Sequence, residues 1–186
     1  MTDWFEPWQN VRWDPTLPPD RRRQVIRRYA ATYPLCRIFV ETGTADGQTT
    51  RAVCDLFDHA YTIELGPRIF HQYAPALRSL GNVTPMLGDS AAVLPGLLAG
   101  IDSPCLFWLD GHFCSDVRGS KDTPIGEELE IIFGTNRPHV VLIDDARLFG
   151  NHHVFPTVDW VRNFATTQSI RFDFGYLDDI MRITPR

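Results

Sequence analysis

The stretch Ile38-Phe39-Val40-Glu41-Thr42-Gly43-Thr44-Ala45-Asp46-Gly47-Gln48-Thr49-Thr50 sets the narrowest limits on what this chain can fold into. An apolar run ends on an acid, meets a glycine turn, and continues into a helix-compatible segment, residues 51–57. That is the strand–turn–helix unit of an open α/β sheet, in which ligands sit beyond the carboxyl ends of the strands. Glycine lets backbone come close to a bound group, and the helix that follows begins with unpaired N–H groups. The spacing is Glu-x-Gly-x-x-x-Gly rather than the Gly-x-Gly-x-x-Gly of dinucleotide sites, which disfavours a nicotinamide-dependent oxidoreductase. A tight strand–helix turn without a ligand would use the same residues, so support has to come from the rest of the chain.

Regular alternation begins after Cys36. The pattern predicts strands at about 37–41, 60–65, 83–87, 105–109 and 139–143. Helices are expected at about 47–58, 67–79, 124–133 and 156–167, with a short one carrying Val93, Leu94, Leu97 and Leu98. The first, fourth and fifth strands are almost continuously apolar, as strands buried on both faces of a parallel sheet should be. Five strands with intervening helices read as a doubly wound, Rossmann-like sheet. The tail from Ile170 to Ile183 holds two more strands with no room for a helix between them.

At 186 residues the chain is expected to be a single domain, with an N-terminal arm and helix over 1–35 and the α/β core over 36–186. A formal net charge of −5 argues against a general nucleic-acid surface. No apolar run reaches the ~18–20 residues of a membrane span and no signal-peptide pattern opens the chain, so a cytoplasmic location away from membranes is expected. Cys36, Cys54, Cys105 and Cys114 lack Cys-x-x-Cys spacing and read as reduced thiols. The arm carries Trp4, Phe5, Trp8 and Trp13 among prolines. Such aromatics must bury on the domain body, on a second subunit as in a homodimer, or over a ligand. A helix over 21–32 follows, with Val25, Ile26 and Tyr29 as its apolar stripe and arginines at 21, 22, 23, 27 and 28 as a basic face. That face is expected to be solvated, with an acidic substrate or phosphate as the alternative.

The turn at residues 41–47, the order of elements over 36–184 and the closing pair of strands resemble the class I S-adenosylmethionine (SAM)-dependent methyltransferases. The likeness is to their small metal-dependent O-methyltransferases of the catechol and macrocin types. The resemblance implies a three-layer α/β/α sandwich whose seven-stranded, mostly parallel sheet ends in an antiparallel C-terminal strand. It implies SAM as cofactor. Glu41, Gly43, Thr44 and Gly47 would hold the amino-acid end, Glu64 the ribose hydroxyls, and Asp89 with Ser90 the adenine, with Asp110 bordering the cofactor. For Asp89 the plain alternative is that it caps the next helix.

Asp110, Asp144 and Asp145, at the ends of the fourth and fifth strands, would be hard oxygen ligands for Mg²⁺, with Mn²⁺ or Ca²⁺ as substitutes. The match is incomplete: catechol-type enzymes have Asp-Asn where this chain has Asp144-Asp145, and the larger macrocin enzymes carry insertions absent here. The alternative is that Asp145 caps a turn and Asp144 pairs with Arg147 or another arginine. His112, two residues beyond Asp110, is the first choice as general base because its ordinary pKa lies near working pH. Lys121, the single lysine, is the second choice, and His152 and His153 would line the acceptor pocket. Glu127 and Glu128, on the helix expected at about 124–133, read as helix surface, with an acid that supports the site from behind as the alternative. The expected activity is therefore methyl transfer to a hydroxyl of a small molecule with metal assistance. Metal-free N- or O-methylation, with Asp110 and His112 acting directly, and a SAM-binding module without turnover are the alternatives.

Overall fold

The computed structural model describes residues 19–111, 123–151 and 154–186. Helix α1 (Pro19–Thr32) leads into β1 (Ile38–Thr42), α2 (Gln48–Val53), β2 (His59–Glu64), α3 (Pro67–Arg78), β3 (Val83–Leu87) and α4 (Ser90–Ala99). Then come β4 (Cys105–Leu109), α5 (Ile125–Gly134), β5 (Val140–Ile143), α6 (Val158–Thr166), β6 (Phe172–Leu177) and β7 (Ile180–Pro185). The expected second helix is shorter than its sequence pattern: α2 stops at Val53 and a 3₁₀ turn, Cys54–Leu56, finishes it. A second 3₁₀ turn, Ala146–Leu148, follows β5.

The strands form one seven-stranded sheet in the order β3-β2-β1-β4-β5-β7-β6. β1 pairs in parallel with both β2 and β4, so the chain winds outward to β3 and then returns past its start. The switch point thus lies between β1 and β4, where the connections leave in opposite directions and a crevice opens. β5 and β7 pair antiparallel, as do β7 and β6. The β6–β7 hairpin turns on Asp178 and Asp179, whose φ values of 52° and 58° are the left-handed pair that a two-residue hairpin requires.

Successive strand residues point to opposite faces, and the apolar runs fill both. Phe39, Leu106, Trp108, Val140 and Leu142 pack with Val25 and Ile26 of α1 and Leu77 of α3. Val40, Phe107, Leu109, Val141 and Ile143 pack on the other side with Leu94 of α4, Leu129 of α5 and Val161 of α6. Helices α1–α3 therefore cover one face and α4–α6 the other. Burying a large apolar side chain in full stabilises by about 1.5–3 kcal/mol. Five successive β4 residues, Cys105–Leu109, are all buried, which makes that strand the firmest backing for whatever stands at its end. His139 ties the far ends of β4 and β5: its Nδ1 accepts from the Cys105 N–H at 2.9 Å, and burial pushes its pKa down to about 4.

Cys36, Cys54 and Cys105 are free and buried, and burial pushes the Cys36 thiol up to about 11 and that of Cys105 to about 12. Cys114 and the aromatic arm with Trp4, Phe5, Trp8 and Trp13 lie outside the described residues. Among the described residues no helix is long and apolar enough to cross a membrane.

Candidate functional site

The parallel register brings the ends of four strands into one row. Thr42 pairs with Leu109, Thr42 with Ile63, and Leu109 with Ile143. The next residues therefore stand side by side: Asp110 N–H donates to the Thr42 carbonyl at 3.0 Å, and Asp144 N–H to the Leu109 carbonyl at 3.0 Å. Asp110 and Asp144 are neighbours because their strands are, as the sequence pattern expects.

The turn after β1 is pinned from both sides. Gly43 and Thr44 N–H groups donate to the Ile63 carbonyl at 3.0 and 3.3 Å. Gly43 has φ +82°, and a Cβ there would lie 2.3 Å from the Asp110 carbonyl oxygen. Gly47 has φ +74°, and a Cβ there would meet the Leu77 side chain at 2.8 Å. Both glycines are thus required by protein neighbours, in addition to whatever approach of a ligand they permit. Glu41 is buried, and its Oε2 accepts from Thr50 Oγ1 and Thr62 Oγ1, each at 2.5 Å. Thr44 Oγ1 joins the same chain of hydroxyls, 2.6 Å from Thr62 Oγ1. Burial pushes the Glu41 carboxyl up to about 7 against the pull of its hydroxyl donors.

Glu64, ending β2, braces two turns at once: Oε2 accepts from Ala45 N–H at 2.9 Å and Oε1 from Gly66 N–H at 2.7 Å. Each carboxylate oxygen has a second lone pair, so these bonds orient the group while leaving it acceptor capacity. Asp89 does cap α4, its Oδ1 accepting from Ala91 N–H at 3.1 Å, as the plain reading of that position has it. Ser90 is buried and donates to Glu128 Oε1 at 2.6 Å.

Glu128 corrects the expectation of a helix-surface acid. It is 1% exposed, and burial pushes its carboxyl up to about 7. Its spacing from Ile125, Leu129 and Ile132, all buried, places it on the inner stripe of α5. That helical periodicity is the signal by which the sequence could have revealed it. A Cβ on Gly111 would lie 3.1 Å from Thr42 Oγ1 and 3.5 Å from Glu128 Oε1, so the exit from β4 passes directly over this buried acid.

At the ends of β4 and β5 the three aspartates do converge. Burial and the neighbouring acids push the Asp110 and Asp144 carboxyls upward, while Arg22 pulls both down. Arg22 of α1 reaches across the sheet end: its Nε lies 2.8 Å from Asp144 Oδ2, and its Nη2 donates to Asp145 Oδ1 at 3.0 Å. Asp144 Oδ1 accepts from the Asp145 N–H at 2.8 Å. Arg147 Nη1 donates to Asp145 Oδ1 at 2.6 Å and also pairs with Asp179 of the hairpin turn. Asp145 sits at φ +54° at the start of the 3₁₀ turn.

A hard divalent cation needs about six oxygen ligands in a nearly regular shell. Here Arg22 and Arg147 both donate to Asp145 Oδ1 and the Arg22 guanidinium forms an ion pair with Asp144 Oδ2, and among the described residues no group of three potential ligands is arranged for a metal. The set Asp110, Asp144 and Asp145, expected to bind Mg²⁺, does not fit a metal in this arrangement. The arginine pairing stands in its place, and with Arg22 rather than Arg147 as the partner of Asp144.

The basic face of α1 is largely solvated, with Arg21, Arg27 and Arg28 exposed, and it also makes contacts to α2. Arg23 Nη2 donates to Gln48 Oε1 at 2.9 Å and Arg27 donates to the Ala52 carbonyl, clasping α1 to α2 just behind the glycine turn. His112, Lys121, His152 and His153 lie outside the described residues.

No protein-family model and no curated protein sequence matches the chain. Solved structures do. The O-methyltransferase TomG from Streptomyces achromogenes, involved in tomaymycin synthesis and solved with SAM, is 17% identical with a TM-score of 0.65, over 91% of this chain and 82% of that one. CalS10, an amino pentose methyltransferase from Micromonospora echinaspora solved with SAM, is 11% identical with a TM-score of 0.61, over 90% and 91%. The 23S rRNA methyltransferase ErmE is 17% identical with a TM-score of 0.55, over 88% and 68%. The chain has the fold of these proteins, a mostly parallel seven-stranded sheet between two helix layers with its last strand antiparallel. Their acceptors differ widely, so the fold carries no acceptor preference.

Proposed function

We propose that this protein is a SAM-dependent methyltransferase acting on a hydroxyl group of a small molecule. The observation that supports it most is the row of acids at the switch point, with Glu41, Glu64 and Asp89 on one side of the β1–β4 crevice and Asp110 and Asp144 on the other. Their order follows the parts of SAM. Gly43, Thr44 and Gly47 form the turn for the amino-acid end, with Glu41 bracing it from beneath. Glu64 faces the ribose hydroxyls, and Asp89 with Ser90 borders the adenine. TomG and CalS10 were solved with SAM bound, which supports this cofactor for a chain of the same fold.

SAM supplies a methyl group on a sulfonium, which a nucleophile displaces in line. The protein's task is to hold the acceptor oxygen on that line and to take its proton as the bond forms. Asp110 closes the cofactor crevice and opens onto the acceptor side, and its raised pKa suits a carboxylate that receives a proton near neutral pH. His112, two residues on, is the companion base. The reaction proposed is metal-free, because Arg22 and Arg147 pair with Asp144 and Asp145, two of the three carboxylates a metal would need.

Calorimetric titration with S-adenosylhomocysteine tests the cofactor assignment. Wild type should bind. Glu64→Ala, which removes a charged acceptor where each such hydrogen bond contributes about 1.5–3 kcal/mol, should bind at least about tenfold more weakly. An absence of binding at millimolar ligand, or equal affinity in the variant, would overturn the assignment.

A further inference from the structure

We propose that Arg22 is the resident cation of the acidic strand ends, a guanidinium built into the fold at the place where Asp110, Asp144 and Asp145 would otherwise gather a divalent ion. Its Nε is 2.8 Å from Asp144 Oδ2 and its Nη2 is 3.0 Å from Asp145 Oδ1. The Nη2 contact is a hydrogen bond and the Nε contact an ion pair, so one guanidinium places its charge against two successive carboxylates. The side chain of Asp144 is 1% exposed and that of Arg22 30%, so the charge enters from the solvent side and ends on a buried acid.

Arg22 does not depend on a loose surface contact for its position. The two residues that anchor α1, Val25 and Ile26, are buried in the core shared with Trp108 and Leu142. Arg23 and Arg27 clasp the same helix to α2. The acceptor-side acids are held from below as well: Arg147 bridges Asp145 to Asp179, and the Ala146 N–H donates to the Asp179 carbonyl at 2.9 Å. A dication would have to displace a positive group from within 3 Å of two of its three ligands, against direct charge repulsion. For the reaction this means methyl transfer that runs without a divalent metal, a consequence that rests on the methyl-transfer reading. Cation occupancy at these strand ends does not rest on it.

Mn²⁺ binding to the full chain, followed by the loss of the free-ion EPR signal, tests this directly. Wild type and Arg22→Lys should take up no Mn²⁺ at millimolar concentration. Arg22→Gln, which removes the charge and keeps a polar side chain, should gain one site at least about tenfold tighter, since a unit charge near the ion is gone. Adding Asp144→Asn to Arg22→Gln should abolish the gain. Wild-type uptake that Asp144→Asn removes would overturn the proposal, and so would a folded Arg22→Gln with no new site. Should Arg22→Gln fail to fold by circular dichroism, wild type against Asp144→Asn decides alone: uptake lost in the variant overturns it, and no uptake in wild type supports it. S-adenosylhomocysteine binding is read separately, so failure of the cofactor assignment is distinguishable from failure here.

Discussion

Gly43→Ala tests the geometry of the site at its tightest point. Gly43 has φ +82°, and an added methyl would lie 2.3 Å from the Asp110 carbonyl oxygen and 2.7 Å from its carbonyl carbon. Both atoms belong to backbone at the end of the fully buried β4, so neither can swing aside as a flexible side chain would. Holding a non-glycine residue in the left-handed region costs roughly 1–2 kcal/mol, and overpacking costs roughly 1–3 kcal/mol. The two together come to about 3 kcal/mol, which for a chain of this length lowers Tm by roughly 6–12 °C.

Relief of the clash would also push the glycine turn away from β4 and widen the crevice, so S-adenosylhomocysteine affinity should fall along with stability. Gly96→Ala is the control. Gly96 lies inside α4 with nothing within 4 Å of an added Cβ, so alanine there should stabilise by about 0.5–1 kcal/mol. Differential scanning calorimetry on wild type and both variants checks the pair. A Gly43→Ala protein melting within about 2 °C of wild type would refute the claim that this turn is wedged against β4.

Two further outcomes follow from the buried acids. The folded-state pKa of about 7 for Glu128 lies above its ordinary 4.5, so between those values the folded chain keeps a proton that the unfolded chain has released. Stability from this group therefore falls as pH rises through that window. Glu128→Gln keeps an oxygen for Ser90 and removes the titration, so its Tm relative to wild type should improve steadily from about pH 5 to pH 8; a constant difference would show that Glu128 does not titrate in this range. Asp110→Asn should leave S-adenosylhomocysteine affinity within about threefold of wild type while lowering turnover of an accepted substrate by about a hundredfold or more. Equal losses in binding and turnover would place Asp110 with the cofactor and not with the acceptor.

Much of this molecule was determined by its sequence alone. Periodicity is a local property, and the two-residue alternation of the strands and the helical spacing between them placed nearly every element. The three strand-end acids Glu64, Asp110 and Asp144 were legible because a parallel strand must end before its chain can cross over, and a polar residue marks that end. The absence of helix-forming room after Ile170 announced the hairpin. The partners of these acids were decided only by the tertiary structure. Arg22 and Asp144 are far apart in the chain, and one arginine in a run of three carries no local sign that it will cross the sheet end while its neighbour Arg23 turns to Gln48. The inward stripe of α5 marks Glu128 as buried, but its partners, Ser90 of α4 and the chain leaving β4 at Gly111, come from elsewhere in the fold. A carboxylate's place in the chain can be read from its neighbours in sequence, but the cation that faces it depends on which helix the fold lays across it. That is why the acids, and an arginine as a possible partner of Asp144, are legible in the sequence, while the choice of Arg22 is not.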